Sequence, residues 1–163
     1  MEPAAAPPLI ACVAIVAPAG DLLYFRSFVG DEQIKLQLAV FASLDYVDEK
    51  LRAARAPPQS TPPAPAGAGD CFLGLLYPFE DYKTFGYVTG TGVRLVVVMR
   101  DVLLREDKVR ELFRALHRTY VDAVSNPFAS LDGPLTSPAF EQEVYRLAEA
   151  SNSVLEYRGP SVL

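Results

Sequence analysis

The feature that most constrains this chain is the run Leu95-Val96-Val97-Val98-Met99, apolar at five successive positions. It follows the turn Gly90-Thr91-Gly92 and reads as a strand. Side chains of a strand alternate between its two faces, so a solvated face would demand a polar residue at every second position. No such residue occurs, and both faces of the strand must be covered by other elements.

The covers are legible in the spacing of apolar residues. Val109, Leu112, Phe113, Leu116, Tyr120 and Val124 predict an amphipathic helix over 104–125 that stops at Asn126-Pro127. Ser137-Pro138 opens another, with serine as N-cap, proline at the first helical position, and Phe140, Val144 and Leu147 on its apolar side. Upstream, Leu36, Val40, Leu44, Val47 and Leu51 recur at spacings of 4, 4, 3 and 4, one stripe of a helix that begins near Asp31 and ends near Arg55.

The remaining apolar runs are strands: 9–16 and 22–29, joined by Pro18-Ala19-Gly20-Asp21, then 71–77, 83–89 and 93–99, with Pro78-Phe79-Glu80-Asp81 between the first two of these three. The order ββαβββαα predicts an α+β fold. Short turns make the strands a five-stranded antiparallel sheet, with one helix on one face and two on the other. The expected organisation is a flexible tail over 1–8, a single domain over 9–155 and a C-terminal tail over 156–163. Within the domain, 56–69 carries Pro57-Pro58, Pro62-Pro63 and Pro65 but no large apolar side chain, and is expected to be an exposed loop. A polyproline ligand or a phosphorylated Thr61-Pro62 is the alternative use of that segment.

Charge and cysteine usage narrow the function. Twenty acidic against 15 basic residues give a formal charge of -5, so the basic footprint of a nucleic-acid or anionic-lipid ligand is missing. Cys12 and Cys71 are too few for a disulfide framework and lack a C-x-x-C spacing, and both are expected to be buried, reduced thiols. The apolar start, 9–17, has no basic leader and is far shorter than the roughly 18 residues needed to span a bilayer, so the chain is expected to be soluble and cytoplasmic.

No catalytic constellation emerges, and no cofactor or metal is expected. Gly90-x-Gly92 precedes a strand rather than the helix N-terminus a phosphate loop requires, and reads as a hairpin turn. His117, the single histidine, lies beside the apolar stripe of its helix with no nucleophile that spacing assigns to it, and reads as a helix-surface residue. Asn126-Pro127-Phe128 spells a tripeptide bound by EH domains, but its position makes it a helix stop with Phe128 folded onto the core. Asp45, Asp48 and Glu49 are too few oxygens for a hard cation, and Asp48 stands four residues before Arg52, a spacing that pairs them on a helix surface. With Phe41 one turn before Asp45, and Tyr46 beside it, this acidic edge is the candidate protein-binding site.

Three blocks carry a resemblance. Residues 43–50 (Ser-Leu-Asp-Tyr-Val-Asp-Glu-Lys), 73–83 (Leu-Gly-Leu-Leu-Tyr-Pro-Phe-Glu-Asp-Tyr-Lys) with Gly86-Tyr87-Val88-Thr89, and Ser125-Asn126-Pro127-Phe128 resemble the sedlin family. The likeness runs in order over roughly residues 9 to 150, and 73–78 resembles one branch of the family more than sedlin itself. The resemblance implies a longin-like fold and membership of the trafficking protein particle (TRAPP) assembly, which tethers vesicles and promotes nucleotide exchange on Rab GTPases at the Golgi. It implies other TRAPP subunits as direct partners, a Rab as an indirect one, and peripheral contact with ER-Golgi and Golgi membranes through the complex. It also links the aspartate matching Asp45 to partner contacts, which singles out Phe41, Asp45, Tyr46, Asp48 and Glu49 as the partner-binding set. The Pro-rich stretch and the N-terminal tail are longer than the family pattern. Two other readings stay open: a longin-type regulatory domain of another trafficking protein, which would need a heptad segment after the domain, and an acyl-binding or small-molecule-binding module with its pocket between helix and sheet.

Overall fold

The doubly apolar run lies at the centre of the sheet. In a computed structural model, which describes residues 8–55, 72–126, 135 and 137–152, the strands are β1 (Ile10–Val16), β2 (Leu22–Ser27), β3 (Phe72–Phe79), β4 (Tyr82–Val88) and β5 (Arg94–Arg100). The helices are α1 (Gln33–Arg55), preceded by one 3-10 turn at Gly30–Glu32, α2 (Glu106–Val124) and α3 (Pro138–Asn152). The sheet order is β2-β1-β5-β4-β3, and every pairing is antiparallel.

This is the expected ββαβββαα arrangement. What the sequence left unassigned is that the first and fifth strands lie side by side. Every residue of β1 is buried, as are Leu95 to Met99 of β5, so two strands rather than one are covered on both faces. Leu95, Val97 and Met99 pack under α2 and α3, with Val13, Ile15, Phe113, Leu116, Phe140 and Val144. Val96 and Val98 pack under α1, with Ala11, Cys12, Ala14, Leu36 and Val40. Asn152, at the end of α3, closes one end of the sheet: its Oδ1 accepts from the backbone N–H groups of Leu9 and Ile10 at 3.1 and 3.2 Å.

Two boundaries differ from expectation for local reasons, and a third agrees. β2 ends at Ser27 rather than at 29 because the Ser27 hydroxyl donates to the Val29 carbonyl at 2.7 Å and accepts from its N–H at 3.2 Å, a side-chain turn that competes with the ladder. β3 runs through Pro78 to Phe79, leaving a tight turn at Glu80-Asp81 with Glu80 at φ 51°. Proline is tolerated there because β3 is an edge strand, where a missing N–H breaks no ladder on the open side. α3 starts as expected, with Ser137 Oγ accepting from Phe140 N–H at 3.4 Å. Residues 1–7 of the tail expected over 1–8, the Pro-rich loop 56–69, the C-terminal tail 156–163, Cys71 and Phe128 lie outside the described residues.

Candidate functional site

α1 is apolar on two sides. Leu36, Ala39, Val40 and Val47 are buried against the sheet. On the opposite side Ile34, Leu38 and Phe41 are 76%, 60% and 44% exposed, and the line continues to Asp45. Residues at i, i+4, i+7 and i+11 fall on one helical face, here about 16 Å long at roughly 1.5 Å per residue. Full burial of one such apolar side chain is worth about 1.5–3 kcal/mol, so three exposed in a row are apolar surface that the described fold leaves unburied.

The five residues singled out from sequence do not form one patch. Phe41, Asp45 and Glu49 share the exposed side, and among the described residues neither carboxylate has an ion-pair partner. Asp48 turns toward the sheet and pairs with Arg94 of β5 at 2.7 Å, not with Arg52 as the i,i+4 spacing suggested. The strand wins because Arg94 is largely buried and its other terminal nitrogen is already held by the Pro18 carbonyl at 3.0 Å, whereas Arg52 stands in solvent. Tyr46 turns to the other flank and stacks on Tyr77 of β3, ring centres 5.0 Å apart and 16° from parallel. Asp48 and Tyr46 therefore anchor α1 to the sheet, while Phe41, Asp45 and Glu49 face outward.

Ile34 and Leu38 are the residues that sequence reasoning missed. Their signal was present as a second apolar set, 34, 38 and 41, out of phase with the stripe through Leu36.

Other polar groups around α1 hold it in place. Lys50 Nζ donates to the carbonyls of Leu73 and Leu75 at 2.8 and 2.9 Å, covering acceptors of edge strand β3 with an ammonium group. At the start of the helix the Tyr82 hydroxyl donates to the Glu32 carboxylate, and Lys35 pairs with Glu80. Burial, followed by the bond to Glu32, pushes the Tyr82 hydroxyl up to about 12. Burial likewise pushes the Cys12 thiol up to about 12, leaving it without thiolate character at neutral pH.

Catalytic and ligand readings fare differently. His117 is half-buried, with Nδ1 3.0 Å from the Tyr87 hydroxyl, rather than a plain surface residue. Gly90-Thr91-Gly92 is the hairpin turn expected, with Gly92 N–H donating to the Thr89 carbonyl at 2.9 Å and Gly92 at φ 88°. Among the described residues no group of three or more His, Cys, Asp or Glu is placed to hold a metal ion, and no helix is long and apolar enough to cross a membrane. A cleft of about 600 Å³ opens at the end of the sheet, between Pro18, Leu51, Leu73 and Val88, and its wall carries Asp48, Arg52 and Arg94. Such charged groups suit a polar occupant better than an acyl chain.

Comparison with known proteins gives a consistent set of relatives. The family model described as sedlin matches residues 15–150. A trafficking protein particle complex subunit 2-like protein of Xenopus tropicalis is 40% identical over 135 residues, covering 82% of this chain and 92% of its own. The protein of that name in Bos taurus is 39% identical over 132 residues, 80% of this chain and 90% of the relative. The one in Dictyostelium discoideum is 34% identical over 143 residues, 85% and 95% of the two chains.

Proposed function

Because the chain belongs to the sedlin family, we propose that it is a non-catalytic adaptor subunit of a TRAPP-type complex, one that tethers vesicles and promotes nucleotide exchange on a Rab GTPase in ER-to-Golgi and Golgi transport. The observation that carries this reading is the exposed line Ile34, Leu38, Phe41 on a helix whose other side is already buried. Relatives named as subunits of a trafficking protein particle complex support an assembly as the place where that line is covered. Other subunits are the direct partners, the Rab an indirect one, and membrane contact is peripheral and made through the complex.

Within this reading the set first drawn from sequence divides. Phe41, Asp45 and Glu49 touch the partner, together with Ile34 and Leu38. Asp48 and Tyr46 position the helix that presents them. The apolar residues supply the affinity, and Asp45 with Glu49 supplies register against cations of the partner.

The test is recovery of stoichiometric subunits with the tagged full-length chain. Ile34→Gln with Leu38→Gln is expected to abolish recovery of one neighbouring subunit, and Asp45→Ala to weaken it, while circular dichroism and melting remain those of the parent. Full recovery with the double variant refutes the assignment of this face.

A further inference from the structure

The two edges of the sheet are protected by different means. β2 carries a charge of its own, Arg26, and the Leu135 N–H donates to the Leu23 carbonyl at 2.8 Å, so part of that edge is already paired. β3, the other edge, runs Phe-Leu-Gly-Leu-Leu-Tyr-Pro-Phe, with no charged residue among its eight. Leu75 in its middle is 44% exposed. An uncharged, apolar edge strand is a template for pairing with another chain, and folded proteins blunt such edges with lysine, proline or a bulge. β3 has Pro78 near its end and Gly74 at φ 78°, but no lysine. The lysine comes from α1. Lys50 Nζ takes the carbonyls of Leu73 and Leu75, two residues apart on the edge, as its acceptors. Among the described residues Lys50 has no carboxylate partner, so its cation is directed at the strand rather than at an ion pair. Tyr46, four residues earlier on the same helix face, stacks on Tyr77 and holds this part of α1 against β3.

We propose that Lys50 is a guard, which closes edge β3 against strand addition, and that the strand it excludes is the β3 of a second copy of this chain. A strand added to an edge is held by that edge's backbone acceptors, and two of them are occupied by the ammonium group. Pro78 has no N–H to offer, which confines pairing to 72–77, and both guarded carbonyls lie inside that stretch. A second copy is the occupant this edge suits. Antiparallel pairing of β3 with itself about a two-fold axis sets no like charges opposite one another, and it gives both open edges a partner in one contact. The guard thus keeps the subunit from pairing with itself through the one edge that its own strand sequence leaves uncharged.

Sedimentation of the purified full-length chain over a concentration series tests this. Lys50→Met keeps the length of the side chain and a good helix former but removes the cation. It is expected to self-associate at least about tenfold more tightly than the parent, since a hydrogen-bonded charge no longer has to be displaced. Hydrogen exchange should then show new protection on the amides of β3. Lys50→Arg, which retains the cation, must sediment as the parent does. Adding Leu75→Lys to Lys50→Met places a charge on the exposed middle of the strand and must restore the parent's behaviour. The proposal is overturned if Lys50→Met sediments as the parent, if Lys50→Arg associates equally, or if Leu75→Lys fails to reverse the association. New protection on β2 or α1 instead of β3 overturns it too, as does a parent already paired through β3. Loss of circular dichroism in Lys50→Met without association would give Lys50 a role in holding the fold, and would equally overturn the guard.

Discussion

The two faces of the sheet are packed on different scales. Under α1 lie Ala11, Cys12, Ala14, Val16, Val96 and Val98, meeting Leu36 and Val40. Under α2 and α3 lie Ile15, Leu95 and Met99 together with Tyr24, Phe72, Phe85, Tyr87, Phe113 and Phe140. Small side chains let α1 approach closely but remove less apolar area from water. The outer surfaces run the other way: α1 shows Ile34, Leu38 and Phe41, whereas α2 shows charges of both signs, among them Glu106, Glu111, Arg114, Arg118 and Asp122. The helix that gains less from the sheet still has apolar surface exposed, the surface that a partner would bury if α1 is covered as proposed.

The comparison breaks most clearly at the aromatic core. Phe113 is fully buried, stacked within 3° of parallel on Tyr87 at 5.8 Å and set against Phe72 at 5.5 Å. Phe113→Ala is expected to cost about 3–5 kcal/mol, lowering the melting temperature by roughly 6–20 °C. Leu36→Ala, beneath α1, should cost less, near 2 kcal/mol at the low end of such truncations. Thermal or urea unfolding in which Leu36→Ala is the more damaging would reverse the ranking of the two faces.

On the α1 side the sensitivity is to added rather than lost volume. A Cβ on Gly86 would stand 2.6 Å from Leu76 Cδ1, and Leu76 is itself buried. Gly86→Ala is expected to cost about 1–3 kcal/mol through displacement of Leu76. A melting curve equal to the parent's would show that the face is looser than its small residues imply.

These contrasts were partly legible in the sequence. The doubly covered β5 was readable because the strand period is two, and five apolar residues in succession break it. The pairing of β1 with β5 was not, since it joins the first strand to the last and no local pattern records it. For the same reason Arg94, 46 residues from Asp48, was invisible beside an Arg52 at helix spacing. β3 was cut short at Pro78 because edge and central strands look alike in sequence until the sheet order is known. At the site, Asp45 and Phe41 were found through the acidic cluster, while Ile34 and Leu38 were passed over because one stripe per helix was sought and α1 has two.

Alkaline pH probes both faces in one titration. Tyr24, on the aromatic side, and Tyr82, on the α1 side, are each raised to about 12 from 10, chiefly by burial, and Cys12 is raised to about 12 from 9. A folded state that keeps these protons while the unfolded state releases them has its full stability below pH 9 and loses it as pH rises toward 12. Tyr24→Phe and Tyr82→Phe should each move the alkaline unfolding midpoint upward, as followed by far-ultraviolet circular dichroism. A downward or absent shift in either would show that its hydroxyl ionises without opening the fold.

The smallest expected effect on the isolated chain is the most informative about its role. Ile34 and Leu38 make little use of the folded monomer, being 76% and 60% exposed, and glutamine is a good helix former. Ile34→Gln with Leu38→Gln should therefore leave unfolding free energy within about 0.5 kcal/mol of the parent. In an assembly the same change removes two apolar anchors worth about 1.5 kcal/mol or more each, so together at least roughly a hundredfold in affinity. Unchanged monomer stability with lost complex formation is expected only if α1 is covered by a partner. A double variant that unfolds early would instead place Ile34 and Leu38 inside the subunit's own packing, and α1 would be an outer layer after all.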